Sequence, residues 1–204
     1  MGAGVDRGDR FPTCPAGSAY PPAPAPATVT SPAVTSKPAI DPLADRTRAT
    51  FAGHVAGGGG TLAISLRDGV AIAYICDGKR VEAWLKGTAA AGKMSLTGED
   101  GETITATFDK RRARGKVTVA GRTSTFDIRI AKKPSGLYRA AARVRNAEVV
   151  GSWIVLPDGS QVGVLVDGGV PGPAPALDVA GRSTTVDGAR LPTSTIDVDS
   201  GEGF

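Results

Sequence analysis

The residues able to do chemistry in this chain are few and scattered. His54 is the single histidine, so a Ser-His-Asp relay would have to use it. No G-x-S-x-G elbow is present to hold a serine nucleophile, and His54 sits in an alternating strand-like run beside glycines. We read it as an ordinary strand residue. One histidine and two distant cysteines cannot supply the four N/S ligands of a structural zinc site, so no metal and no cofactor are expected. Gly57 to Gly60 lacks the Lys-Ser/Thr and the strand-to-helix setting of a phosphate loop and reads as a flexible turn. Glu82, Glu99, Asp100, Glu102, Asp109, Asp127 and Glu148 fall at turns or outer strand positions, with no paired arrangement of the glycosidase kind. The chain is therefore read as a non-enzyme.

Three other groups of residues carry binding chemistry. Arg139, Arg143 and Arg145 occupy one face of a strand-like run, and Lys116 and Arg129 join them as a candidate anion-binding face for phosphates, carboxylates or acidic glycans. The bland alternative is a solvated outer face. Nucleic acid is disfavoured as a partner because only Tyr138 lies near these cations, and base-stacking sheets interleave several aromatics. Tyr74, Trp84 and Trp153 are candidates for packing or binding; a small-ligand reading has all three lining one cavity. Trp84 stands out, since it falls on the polar face of its strand. Cys14 and Cys76 are the only cysteines. In an oxidising compartment a Cys14–Cys76 bridge would fasten the N-terminal segment to the core; in a reducing one Cys76 is a small buried side chain and Cys14 a free thiol.

These residues need elements to position them. The densest signal is residues 69–87, GVAIAYICDGKRVEAWLKG. Two apolar runs flank an Asp77-Gly78 pair, which reads as a hairpin whose turn uses positive φ. Residues 70–76 are apolar on both faces, so this strand must be covered on two sides. Further strands are expected at 50–55, 61–66, 81–86, 93–96, 103–108, 115–119, 123–130, 136–144, 149–156 and 161–166, separated by glycine-bearing turns. That rhythm predicts an all-β fold, an antiparallel meander forming a single barrel or sandwich. Ahead of it, residues 1–47 form a Pro/Ala/Thr-rich spacer with no face to bury, expected to be disordered. The expected β-domain spans 48–169, a Pro/Gly linker 170–176, and short strands or a loose extension 177–204.

Totals agree with one modest domain. At 204 residues and 41% hydrophobic, the chain can bury a core, but with 5% aromatics that core must be aliphatic. A net charge of +4 favours anionic surfaces without requiring nucleic acid. No run approaches the roughly 18 apolar residues of a membrane span, and the start MGAGVDRGDR lacks the apolar stretch of a signal peptide. The chain is thus either cytoplasmic or the extracytoplasmic part of a longer chain whose targeting segment lies upstream.

The Ala/Gly/Arg/Pro-rich usage, with a Pro-Ala-Thr-Ser stretch from Pro21 to Pro42 leading into a small β-domain, resembles exported or membrane-tethered proteins of high-GC Gram-positive bacteria. Motif-like segments include Tyr74-Ile75-Cys76-Asp77-Gly78, Val81-Glu82-Ala83-Trp84, Ser135-Gly136-Leu137-Tyr138-Arg139 and Trp153 to Gly163. The resemblance is one of style and points to no characterised family. It implies an envelope setting and no activity. The resulting expectation is a non-enzymatic extracytoplasmic domain that binds a protein partner or an anionic envelope component, with a small-ligand barrel and a nucleic-acid or polyanion binder using the basic strand face as alternatives.

Overall fold

The computed structural model describes residues 47–200, and every described regular element except one short 3-10 turn (Ala56–Gly58) is a β-strand. The first eight are β1 (Arg48–His54), β2 (Thr61–Arg67), β3 (Val70–Cys76), β4 (Glu82–Ala90), β5 (Lys93–Gly98), β6 (Thr103–Phe108), β7 (Arg112–Val119) and β8 (Arg122–Ile130). They form a closed antiparallel barrel in sequence order. Closure is brief, through Phe51↔Ile130 and Ala52↔Arg129 plus a bridge from Val55 to Phe126.

Turn chemistry dictates this meander. Asp68-Gly69, Ala91-Gly92 and Ala120-Gly121 each place two consecutive residues at positive φ, the geometry whose twist matches paired strands. The β3–β4 hairpin forms as expected, but by a different device. Only Gly78 has positive φ, while the Asp77 Oδ1 atom accepts backbone N–H groups of Lys79, Arg80 and Val81 at 2.7, 2.9 and 3.0 Å. A longer loop closed by an aspartate side chain replaces the two-residue turn.

Alternation then sorts the side chains. Phe51, Leu62, Ile64, Ala73, Leu85, Leu96, Ile104, Val117, Phe126 and Ile128 point inward and fill the lumen, all of them buried. Each large member contributes about 1.5–3 kcal/mol on burial. The aliphatic core expected from the composition is this lumen, and it leaves the interior occupied by side chains.

After β8 the chain leaves the barrel. Strands β9 (Gly136–Val144), β10 (Ala147–Val155), β11 (Gln161–Asp167) and β12 (Val170–Pro173) form a second sheet, in the order β12-β11-β10-β9, which a later strand extends at the β9 edge. Strands β13 (Leu177–Asp178), β14 (Ser183–Val186) and β15 (Ala189–Pro192) make a small third sheet, and β16 (Ser194–Ile196) returns to pair with β9. The second sheet lies against the barrel through Leu137, Ile154, Leu156, Val164 and Ile196, which meet Ala52, Ala63, Ile72, Tyr74 and Cys76. Its other face carries Tyr138, Val149, Trp153 and Val155, covered by Leu177, Val186 and Leu191 of the third sheet.

The uniform hairpin rhythm concealed this break at residue 131. One further boundary also differs from expectation, and at 177–196 the structure takes the short-strand alternative. Residues 170–173, read as linker, pair with β11, with Pro171 and Pro173 on a strand at the end of the sheet order, where a missing N–H costs little. Residues 177–196, read as short strands or a loose extension, form the covering layer and an edge strand of the second sheet.

Trp153 organises that covering layer. Its ring lies against Gly151 and Gly163, where an added Cβ would collide with the indole. Its Nε1 donates to the Pro175 carbonyl at 2.8 Å. Two residues on, Gln161 clamps Leu177, its Oε1 accepting from the Leu177 N–H (2.8 Å) and its Nε2 donating to the Leu177 carbonyl (2.9 Å). The proline-rich segment is therefore pinned by two side chains.

Candidate binding surfaces

Two surfaces emerge from the barrel's outward positions. The first is a cleft where β4 and β5 meet β9. Glu82 and Trp84 alternate outward along β4, while Arg139 projects from β9 toward the barrel. The Tyr74 ring stacks on Trp84 at 4.5 Å between centroids with a 36° tilt, and the Tyr74 hydroxyl donates to Glu82 Oε2 at 2.7 Å. The Arg139 guanidinium carbon lies 5.8 Å from the Trp84 ring centroid, within cation–π range. Glu99, Asp100 and Glu102, from the β5–β6 turn, wall the far side, with Glu102 Oε2 accepting the Asp100 N–H at 3.1 Å. The cleft encloses about 570 Å³.

Burial explains the electrostatics of this corner. Desolvation pushes the Glu82 carboxyl above its ordinary value, against the opposing pull of the Tyr74 hydroxyl and Arg139. Desolvation, reinforced by Cys76 and Glu82, lifts the Tyr74 phenol far beyond its usual range, so it stays a hydrogen-bond donor. Desolvation likewise pushes the Cys76 thiol up to about 11. Cys76 is a buried free thiol facing the second sheet. Cys14 lies outside the described residues, and so does the expected Cys14–Cys76 pairing.

The second surface is the outer wall of β5–β8. Register aligns its outward side chains in rows. One row is Thr97, Thr103, Thr118 and Thr123. The next is Ser95, Thr105, Lys116 and Thr125, and the third Lys93, Thr107, Arg114 and Asp127. Thr118 and Thr123 hydroxyls sit 2.8 Å apart. Lys93, Arg112, Arg114, Lys116, Arg122 and Arg129 supply the charge on these strands, against the single acid Asp127. Asp127 is held by Arg112 and Arg114, each at 3.1 Å. An open groove of about 790 Å³ runs along this wall past Lys93, Thr105, Arg114 and Lys116.

The candidate anion-binding face is thus divided. Lys116 and Arg129 stand on the barrel wall, whereas Arg139 enters the acidic cleft. Arg145 pairs with Asp187 of the third sheet at 3.3 Å, and Arg143 lies opposite Glu148 in the β9–β10 register. The face read in sequence is split because β9 belongs to the second sheet while Lys116 and Arg129 belong to the barrel. Arg112 and Arg114 belong to the basic cluster around Lys116 that is evident in sequence and share its face of β7, whereas Lys93 on β5 was missed.

The three aromatics are divided as well. Tyr74 and Trp84 stack between barrel and second sheet, while Trp153 belongs to the opposite face of that sheet. One cavity lined by all three does not form, because β10 turns Trp153 away from Ile154 and the barrel. Glu82, Glu99, Asp100 and Glu102 are the residues sequence reasoning passed over, since only the fold brings β4 and the β5–β6 turn to one cleft.

His54 is exposed at the end of β1, its Nδ1 3.2 Å from the Thr61 hydroxyl. Among the described residues no group of three or more His, Cys, Asp or Glu side chains is placed to hold a metal ion, and no helix is long and apolar enough to cross a membrane. Compared with known proteins, the chain matches no family model, no curated protein and no solved structure.

Proposed function

We propose that this protein is a binding domain that holds an anionic polymer of the cell envelope on the outer wall of β5–β8. The observation that carries the reading is the three-row array of hydroxyls and cations on a wall with a single, already paired acid. Hydroxyls at one strand spacing, about 4.8 Å, and cations between them match a chain-like ligand bearing repeated acidic groups better than a compact one. No aromatic side chain stands on the outward positions of β5–β8, since Phe108 and Phe126 pack inward. That favours a charged polymer without bases to stack over a nucleic acid. The Pro/Ala/Thr-rich stretch ahead of the barrel supports an extracytoplasmic setting, in which it would act as a spacer.

The test is titration of the full chain with poly(glycerol phosphate) and with polygalacturonate, as phosphate- and carboxylate-bearing probes. Binding should weaken steeply as salt rises, because released counterions and screening set the affinity. Affinity for both probes that does not change with salt would overturn the reading.

A further inference from the structure

The cleft between β4, β5 and β9 lies apart from the cations of the basic wall and shares only Thr97 with its hydroxyl rows. Glu82, Glu99, Asp100 and Glu102 would repel an anionic chain, and Arg139 lies on a different layer from the basic wall. We propose that this cleft is a second binding site, and that its ligand is a neutral saccharide.

The wall chemistry selects the ligand class. The lining brings carboxylate acceptors, Glu82, Glu99, Asp100 and Glu102, together with cationic donors, Arg139 and Lys86, and the Thr97 hydroxyl. An anionic ligand meets four carboxylates, and a cationic ligand meets two cations already in place. A hydroxyl group donates and accepts at once, so a polyol satisfies both walls without a net charge. The half-buried Trp84 adds a flat apolar surface to a polar cavity, which suits the C–H face of a sugar ring. A volume of about 570 Å³ lies within the range of small-molecule sites.

Preorganisation supports the same conclusion. Trp84 is held by the Tyr74 ring and by Arg139, and Glu82 is fixed by the Tyr74 hydroxyl. Glu82, Trp84 and Arg139 are therefore held before any ligand arrives, which lowers the ordering cost of binding. Arg139 belongs to the second sheet while the other groups belong to the barrel, so a bound sugar would bridge the two layers.

The experiment is tryptophan emission of the full chain titrated with cello-, chito- and manno-oligosaccharides of two to four units, with spermidine as a cationic control. Trp153 is sealed in another core, so a change reports Trp84. At least one neutral oligosaccharide should shift the emission saturably. Glu82→Gln, which keeps the Tyr74 hydrogen bond and the packing, should weaken that binding about tenfold, as should Arg139→Gln; Lys116→Glu should leave it unchanged. Three results would overturn the proposal: no saccharide response at millimolar concentration, a response unaffected by Glu82→Gln and Arg139→Gln, or a response to spermidine alone. Poly(glycerol phosphate) binding measured on the same variants separates this site from the basic wall, since neither cleft substitution should reduce it.

Discussion

The two halves of the barrel wall are built from the same alternating strands and end in opposite fates. Of the outward residues of β1–β3, Ala52, Ala63, Ile72, Tyr74 and Cys76 are sealed under the second sheet, while Arg48 and His54 at the strand ends stay exposed. Outward residues of β5–β8 are threonine, serine, lysine and arginine with the single acid Asp127, and most remain open to solvent. Strand β4 is the seam, with Trp84 packed at the covered side and Lys86 and Thr88 leading to the open one. The lumen is equally apolar throughout, so fold stability does not demand the difference. What differs is the cover on the outer face: one half is packed under the second sheet, and the other is open among the described residues.

Charge placement should break this comparison most sharply. Ala63→Asp buries an unpaired carboxylate between barrel and second sheet and should cost several kcal/mol in urea unfolding. Thr105→Asp, at an outward position of β6, should stay within about 0.5 kcal/mol of the parent. Equal effects would erase the distinction. Next in size, Trp153→Ala removes the anchor of the covering layer and should cost about 3–5 kcal/mol.

Two smaller effects sharpen the covered half. The Cys76 thiol, raised to about 11 by desolvation, should resist thiol reagents near pH 8 until the protein unfolds, as mass spectrometry of labelled protein would show. Glu82 gives a pH signature. Its carboxyl in the folded state is raised above the ordinary 4.5, so the folded state holds the proton more tightly than the unfolded state does. Its contribution to stability therefore declines as pH rises from 4.5 through the folded value. Glu82→Gln should remove that decline in a thermal-unfolding series across this window.

Much of the barrel was legible because each strand carries its own evidence. Residues 70–76, apolar on both faces, announced a strand covered twice, and β3 does face the lumen with Ala71, Ala73 and Ile75 and the second sheet with Ile72, Tyr74 and Cys76. Trp84 on a nominally polar face likewise marked the covering layer. The division into barrel and second sheet was not legible, since the Ala147 and Gln161 hairpins look locally like those of the barrel and only long-range pairing tells them apart. Prolines at 171 and 173 argued for a linker because an edge strand that tolerates them is a tertiary fact. The cleft was hidden for the same reason: Glu82 and Arg139 are 57 positions apart. The arginines of β9 misled, because a common strand face does not fix which layer that face meets.

The central claim is that the open half of the wall, and not basic charge in general, engages an anionic polymer. The most direct measurement compares two charge-reversed full-length proteins against poly(glycerol phosphate) at low and moderate salt. One carries Lys93→Glu, Arg114→Glu and Lys116→Glu on the barrel wall; the other carries Arg143→Glu and Arg145→Glu on the second sheet. The account predicts that the first loses at least about tenfold in affinity and most of its salt dependence, while the second changes by less than about threefold. Equal losses in both, or a larger loss in the second, would contradict it.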